Sequence, residues 1–278
     1  MLTPEISKRI NDLVYSKPRT VDEIATYLKK NWRTANRYIE KISEEQGTIS
    51  MRTFREGSRG ALKIVYWNNI EKIHATSFQE KLFSRIESSR GKDDFSPFDI
   101  YQYVDEKKKS AFMEQQEDES ETALNKDLHD LLKNTEKQIL IFSGSLSWAN
   151  LKQGNTKTIE IFESLAKKNI SIKVIANVDL SNLNNVNRFL SINERVGRNV
   201  IEVRHREQPL RAIVIDSKLA RFKEVRVPSN KKKKTFTFYC IYDKDWIEWI
   251  QKIFWNLFST AIPAEKRIKE LETIKKIS

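Results

Sequence analysis

The sequence predicts an α+β chain of more than one domain: a small helix-and-hairpin domain, a helical connector, and a C-terminal α/β domain. Three observations carry this. Residues 1–69 hold short amphipathic helical segments followed by two β-rich runs around a Gly-rich tip. From Ala123 onward, apolar strand-like runs alternate with helical ones, the pattern of an α/β layer fold with a mostly buried sheet. Between them, residues 70–122 show broken helical periodicity and end in the acidic stretch Glu114 to Glu121, the expected flexible point. The domain boundaries are therefore placed at 1–69, 70–122 and 123–278. A length of 278 residues has room for that division.

In chain order, the first helix is expected over Pro4 to Ser16, with Ile6, Ile10, Leu13 and Val14 inward. Thr20 and Glu23 form a capping-box pattern that opens a second helix. Asn31 can cap a third after the short turn KKNW. Ile24, Leu28, Tyr38, Ile39 and Ile42 place apolar residues on one face of each of the last two. Two helices joined this tightly cross steeply, and the second is free to enter a major groove. Its first turns carry Trp32, Arg33, Thr34, Asn36 and Arg37, and Arg and Asn can bond guanine and adenine bidentately. Gly47 to Trp67 then reads as two strands joined by REGSRG, with Arg52, Arg55, Arg59 and Lys63 lining a wing suited to phosphates or a minor groove. The order of cap, turn, basic helix and hairpin is that of a winged helix-turn-helix. The plain alternative is a small helical domain with a solvated basic face.

In the connector, Phe78, Leu82, Phe83 and Ile86 predict a helix over Ser77 to Ser88, and a second short helix is expected from Phe98 to Lys108. The C-terminal region predicts a helix from Ala123, a strand at QILIFSGS, and a helix over Thr156 to Lys168. A strand at ISIKVIANV, a helix over Leu183 to Arg195 and strands at VIEVRHR, RAIVIDS and TFTFYCIYD follow. The last element is a long helix from Asp245 to Thr260, whose Trp246, Trp249, Phe254, Trp255 and Phe258 are read chiefly as core.

Charge narrows the partners. The chain carries a formal net charge of +12 and a pI near 9.5, which favours a polyanion, and nucleic acid first. Residues 1–70 hold thirteen Lys/Arg against eight Asp/Glu, and a second basic concentration spans Val200 to Lys234, ending in four consecutive lysines read as a solvated loop. No apolar run approaches the roughly 20 residues of a membrane span, and the N-terminus lacks a signal peptide's apolar stretch. The single cysteine, Cys240, suits a reducing cytosol and is expected as a buried small hydrophobe. The expected location is therefore cytoplasmic, with the nucleoid. The three histidines, His74, His129 and His205, form no metal-ligand spacing, and there is neither a phosphate-binding Gly-rich motif nor a Ser/His/Asp set, so neither cofactor nor metal is expected. Few glycines beside many Lys, Ile and Asn hint at an AT-rich, archaeal genome.

Residues 123–260 resemble a single phospholipase D-like half-domain, in the order helix, strand ending in Ser143-Gly144-Ser145, helix, strand, helix, strand, then RAIVIDSKLARFKE. Active members carry H-x-K-x-x-x-x-D. Here Pro209 stands at the His position, Arg211 at the Lys position and Asp216 at the Asp position. Proline has no nucleophile, so covalent phosphoryl transfer by that route is blocked. His205, four residues upstream, would lie roughly 13 Å away along an extended chain and is expected at a surface or loop. The chain as a whole resembles archaeal TrmB-type transcriptional regulators. That resemblance implies a dimeric regulator of double-stranded DNA whose C-terminal domain is non-catalytic and serves dimerisation or effector sensing. Arg211, Lys218, Arg221 and Lys223 would form an anion pocket for DNA backbone or a small anionic effector, unless they simply pair with Glu202, Glu207 and Glu224. The runner-up is a phospholipase D-type nuclease or phosphodiesterase using His205. A third reading is a sequence-tolerant architectural DNA-binding protein.

Overall fold

The computed structural model describes residues 2–16, 18–55, 61–67, 77–116, 128–153, 156–226 and 234–277. The hairpin tip with Arg59, His74, most of the acidic stretch, the expected helix start at 123–127 and the lysines 231–233 lie outside the described residues. Two compact units are present: Met1–Glu80 with Gln251–Asn256, and Lys81–Ile250 with Leu257–Ser278.

The first unit holds helices α1 (Pro4–Ser16), α2 (Val21–Leu28) and α3 (Trp32–Glu45), and strands β1 (Arg19–Thr20), β2 (Ile49–Arg55) and β3 (Ala61–Trp67). β2 and β3 pair antiparallel, from Ile49 opposite Trp67 to Arg55 opposite Ala61. The two-residue β1, which sequence periodicity cannot reveal, adds a third strand in the order β1-β3-β2. Ile10, Val14, Ile24, Leu28, Ala35, Tyr38, Ile39, Ile42, Ile49 and Val65 form one buried cluster. A polar chain ties α1 to the end of α3. Ser7 and Asn11 both donate to Gln46 Oε1, at 3.1 and 3.0 Å, and the Thr48 hydroxyl donates to Asn11 at 2.9 Å. Such satisfied polar groups fix one packing of the helices where apolar contacts alone would tolerate several.

The second unit is built on a mixed eight-stranded sheet. In chain order its elements are α4 (Ser77–Ser88), α5 (Phe98–Tyr101), β4 (Lys109–Gln116), α6 (Leu128–Lys133) and β5 (Gln138–Phe142). The small hairpin β6 (Lys152–Gln153) and β7 (Thr156–Lys157) leads to α7 (Thr158–Lys167), β8 (Ser171–Ala176), α8 (Leu183–Val196) and β9 (Ile201–His205). β10 (Ala212–Ile215), β11 (Leu219–Arg226), β12 (Lys234–Ile241), α9 (Lys244–Ser259, of which Gln251–Asn256 falls in the first unit), β13 (Ile262–Pro263) and α10 (Ala264–Ile277) complete it. The sheet order is β13-β9-β8-β5-β10-β11-β12-β4, so β5 and β9 run parallel to β8 and the other pairings are antiparallel. The result is an α+β fold with a mixed sheet. Every residue of β5 is buried, as expected for a central strand covered on both faces. One face, carrying Ile139, Ile141, Ile172, Val174, Ile201 and Val203, packs on α6, α7, α8 and α10. There Trp148, Phe162 and Phe189 meet at ring separations of 5.2 to 5.4 Å.

Two sequence expectations need correction. The helix expected over Phe98 to Lys108 is one turn, Phe98–Tyr101, followed after Asp105 by a 3₁₀ turn. Phe98 and Tyr101 pack on Tyr239, at 6.1 and 5.1 Å, and the chain then enters β4. The end of the expected connector is therefore a sheet strand: all eight residues of β4 pair with β12, from Lys109 opposite Ile241 to Gln116 opposite Lys234. Long-range pairing overrides the weak local helical signal here. The aromatic residues Trp249, Phe254, Trp255 and Phe258 of α9 are buried, and Cys240 is buried in β12.

On the other face of the sheet, Glu202 of β9 bonds Lys173 of β8 at 2.9 Å and Arg204 at 2.8 Å. Burial opposes the charge on Glu202, but the two cations overcome it and hold its carboxyl down to about 2. A depressed carboxyl pKa stabilises the fold above its unfolded value near 4.5 and loses that contribution as pH falls towards 2. The expected loss across that window is about 3 kcal/mol. Urea denaturation at stepped pH checks it: Glu202→Gln should lower stability at neutral pH and flatten the acid slope. An unchanged slope would remove Glu202 from the acid response.

Candidate nucleic-acid surface and strand-end cations

The first candidate surface is the start of α3. Thr20 and Glu23 form the reciprocal capping box that starts α2: Glu23 N–H donates to Thr20 Oγ1 at 3.1 Å and Thr20 N–H to Glu23 at 2.6 Å. Lys29 ends α2 in the left-handed region, at φ 53, where its N–H bonds the last carbonyls. Two residues later Asn31 Oδ1 accepts from Thr34 N–H at 2.8 Å and starts α3. Ala35, Tyr38, Ile39 and Ile42 then turn inward, which leaves Arg33, Arg37 and Glu40 exposed on the opposite side. The first turn of α3 holds no acidic residue and does hold Arg33. A cation beside the positive end of a helix dipole costs stability rather than adding it.

The structure distributes the sequence-predicted residues as follows. Trp32 is 39% exposed. Arg33 has no hydrogen bond or ion pair among the described residues, and the Arg37 guanidinium lies 6.0 Å from the Tyr38 ring. Thr34 is half-buried and gives its N–H to the cap. Asn36, half-buried, donates to Glu40 at 2.7 Å and accepts from Lys63 at 2.8 Å. Lys63 also stands over the Trp32 ring at 5.2 Å, so this wing residue is gathered onto the α3 face. Arg52 and Arg55 are placed in β2 by their backbone; their side chains, and all of Arg59, lie outside the described residues.

The second candidate is the end of the sheet where β5 finishes and β10 begins. Gln208, 3% exposed, donates to the Ser143 carbonyl at 2.9 Å and accepts from Leu210 N–H at 2.6 Å. Arg211 donates to the carbonyls of Gln208 and Leu210, at 3.2 and 2.8 Å. Its guanidinium lies so close to Gly144 that a Cβ there would sit 2.8 Å from Nη2 and the Arg211 side chain would have to shift. Lys223 N–H bonds the Arg211 carbonyl at 2.7 Å, so the two residues face each other across β10 and β11. Arg221, two residues back on the same face of β11, is buried. It donates to Cys240 Sγ at 3.1 Å and covers the Phe112 ring at 5.5 Å.

Arg211 and Lys223 have no carboxylate ion pair among the described residues. Burial lowers the Arg211 pKa, opposed by Asp93. Burial also pushes the Lys223 ammonium down to about 8, opposed by Glu114, with the Phe236 ring 4.3 Å from Nζ. Lys218 does not join them. It sits in the β10–β11 turn at the far end of the strands, exposed and paired with Glu136 at 3.0 Å. The expected acidic partners are engaged elsewhere too: Glu202 by Lys173 and Arg204, Glu207 by Arg90, Glu224 by Ser96 and Tyr239.

The residues at the H-x-K-x-x-x-x-D positions are also spread out. Pro209 is buried beside Gln208, whereas Asp216 lies past the opposite end of β10, about 17 Å from Arg211 along the strand. There it accepts three backbone N–H groups, from Glu136, Lys137 and Gln138, at 2.7, 2.8 and 2.9 Å. His205 is the last residue of β9, half-buried, which corrects the surface-loop expectation: Nδ1 accepts from Val178 N–H at 2.9 Å. Burial and Arg267 lower its pKa. It is three strand spacings from β10 through β8 and β5, about 14 Å. Among the described residues, no three His, Cys, Asp or Glu side chains cluster to hold a metal, and no helix is long and apolar enough to cross a membrane.

No family model matches the chain, and no curated protein does either. Among solved structures, the chain is similar to Nuc from Salmonella typhimurium, a phospholipase D family member. Identity is 8%, the TM-score 0.39, and the match covers 56% of this chain and 97% of that one. NucT from Helicobacter pylori is similar at 12% identity and TM-score 0.38, over 56% and 98% of the two chains. TrmBL2, described as an archaeal chromatin protein with a novel mode of DNA binding, is similar at 11% identity and TM-score 0.39, over 94% of each chain. Scores this low transfer no activity.

Asp216→Ala strands three backbone N–H groups that a charged acceptor now satisfies. It should cost about 3 kcal/mol in chemical denaturation, whereas Lys218→Ala should cost less than about 1 kcal/mol. Equal costs would contradict the structural role given to Asp216.

Proposed function

We propose that the chain is a DNA-binding transcriptional regulator, its first unit a winged helix-turn-helix that reads duplex DNA with α3. The observation that carries this is the exposed Arg33, without an ion pair among the described residues, at the capped, acid-free start of α3, with Arg37 and Asn36 one turn on and the β2–β3 hairpin following. Arg33, Asn36 and Arg37, with Trp32 and Thr34, form the base-reading set. Arg52, Arg55 and Arg59 are assigned to the backbone. The net charge of +12 fits a polyanionic partner.

For the second unit we propose a non-catalytic role in pairing two copies and sensing an anion. Proline at the nucleophile position, and a histidine already accepting a backbone hydrogen bond three strands away, argue against phosphodiester cleavage. Arg211 and Lys223, adjacent and without carboxylate partners among the described residues, are the anion-binding candidates, with Arg221 behind them. The same net charge also favours a second reading, a sequence-tolerant architectural DNA-binding protein located with the nucleoid.

Fluorescence anisotropy on duplex DNA tests the first proposal. Arg33→Ala or Arg37→Ala should each weaken binding by about 1–3 kcal/mol and relax base preference. Unchanged affinity and preference in both variants would contradict the assignment of α3. Uniform, steeply salt-dependent binding by the wild type would select the architectural reading.

A further inference from the structure

The eight-stranded sheet ends differently at its two edges. One edge is β13, two residues long, and Pro263 there has no N–H to offer a further strand. The other is β4, eight residues paired with β12 in unbroken register, with no strand on its outer side among the described residues. Edges of that length are normally blunted by a proline, a bulge or an outward charge. β4 has neither proline nor bulge. Its lysine, Lys109, is held within its own unit: the side chain is 4% exposed, bonds the Tyr101 carbonyl at 3.2 Å and pairs with Glu106 at 2.7 Å. Ser110, Ala111 and Met113 are exposed, Met113 at 72%.

The register also says which backbone groups face the open side. Tyr242 N–H bonds the Lys108 carbonyl at 2.8 Å, one step beyond the pair Lys109 and Ile241. Antiparallel ladders alternate hydrogen-bonded with non-bonded pairs, so the even-numbered residues of β4 bond β12. The N–H and C=O groups of Lys109, Ala111, Met113 and Gln115 therefore point outward. These four positions are symmetric about Phe112.

We infer that β4 is the surface through which two copies of this chain pair, edge to edge and antiparallel, with Phe112 on the two-fold axis. The inference rests on the pairing role proposed for the second unit and gives that role a surface. Ala111 of one copy faces Met113 of the other, and Lys109 faces Gln115, for about eight hydrogen bonds across the join. Within β4, only this axis gives every outward residue another to face. The side chains agree with it. The exposed Met113 lies against a small residue, Glu114 faces Ser110, and no like charges are opposed. Phe112 meets its own copy at a non-bonded position, where strands approach most closely, and extends the stack it already makes with Phe238 at 5.0 Å and 15°. A two-fold pairing also uses both open edges at once and stops at two copies.

Sedimentation velocity of the full chain over a concentration series tests this. Wild type should dimerise. Met113→Lys puts a charge on the edge, and Ala111→Pro removes an N–H that β12 does not use. Each should weaken dimerisation by roughly tenfold to a hundredfold and keep the wild-type circular dichroism. Phe112→Cys places two thiols on the axis, about 4.5 Å apart at their Cα atoms, and should give a dimer linked by a reducible disulfide. If Ala111→Pro does not fold, Met113→Lys and the cross-link decide. Folded variants that dimerise as the wild type does, with no cross-link from Phe112→Cys, would overturn the inference and move pairing to another surface. A wild type that stays monomeric throughout would defeat the pairing role itself, a result distinct from that one.

Discussion

The turn from Lys29 to Asn31 is the constraint on which the first unit depends. Lys29 adopts a left-handed backbone so that α2 can stop, and Asn31 accepts a hydrogen bond so that α3 can start two residues later. With so short a link, α3 has little freedom in direction. The buried face set by Ala35, Tyr38 and Ile39 then fixes its rotation. Rotation decides which residues meet solvent, and Arg33, Arg37 and Glu40 are among them, with Asn36 at the margin. The polar chain through Ser7, Asn11, Gln46 and Thr48 holds the far end of α3, so both ends of the helix are specified by hydrogen bonds rather than by apolar packing alone.

In the second unit, β5 plays the comparable part. It is buried throughout, parallel to β8 and antiparallel to β10. Its far end delivers Ser143 and Gly144 against Gln208 and Arg211, while its near end is fixed by the Asp216 carboxylate. One strand therefore joins a structural anchor to a pair of adjacent cations. The two ends have different chemistry. At the anchor the charge of Asp216 is taken up by three N–H groups, whereas at the cation pair the Arg211 guanidinium reaches only carbonyls among the described residues.

Much of the local structure was legible in the sequence because it is written in short-range chemistry. The Thr20–Glu23 box, the Asn31 cap and the Pro4–Ser16 helix need only near neighbours to form. The strands at Gln138, Ser171 and Ile201 announce themselves as apolar runs. What escaped depends on distant partners. β1 exists through two residues paired with β3, and β4 through eight paired with β12. β11 escaped because Arg221, Lys223 and Glu224 interrupt its apolar pattern, yet Arg221 and Lys223 lie against Phe112, Cys240 and Phe236. At the candidate sites, the residue types were readable, but their grouping was not. No spacing rule separates Lys218 from Arg211 and Lys223, or brings Lys63 onto Asn36 and Glu40; strand register and hairpin geometry do.

The account turns on which surface meets DNA, and hydrogen exchange read by mass spectrometry, with and without duplex DNA, tests that most directly. Protection concentrated in residues 31–40 and in the β3 segment 61–67 is the result it predicts. Protection confined to residues 200–226, with the start of α3 exchanging as in the free protein, would contradict it and move the nucleic-acid surface to the strand-end cations.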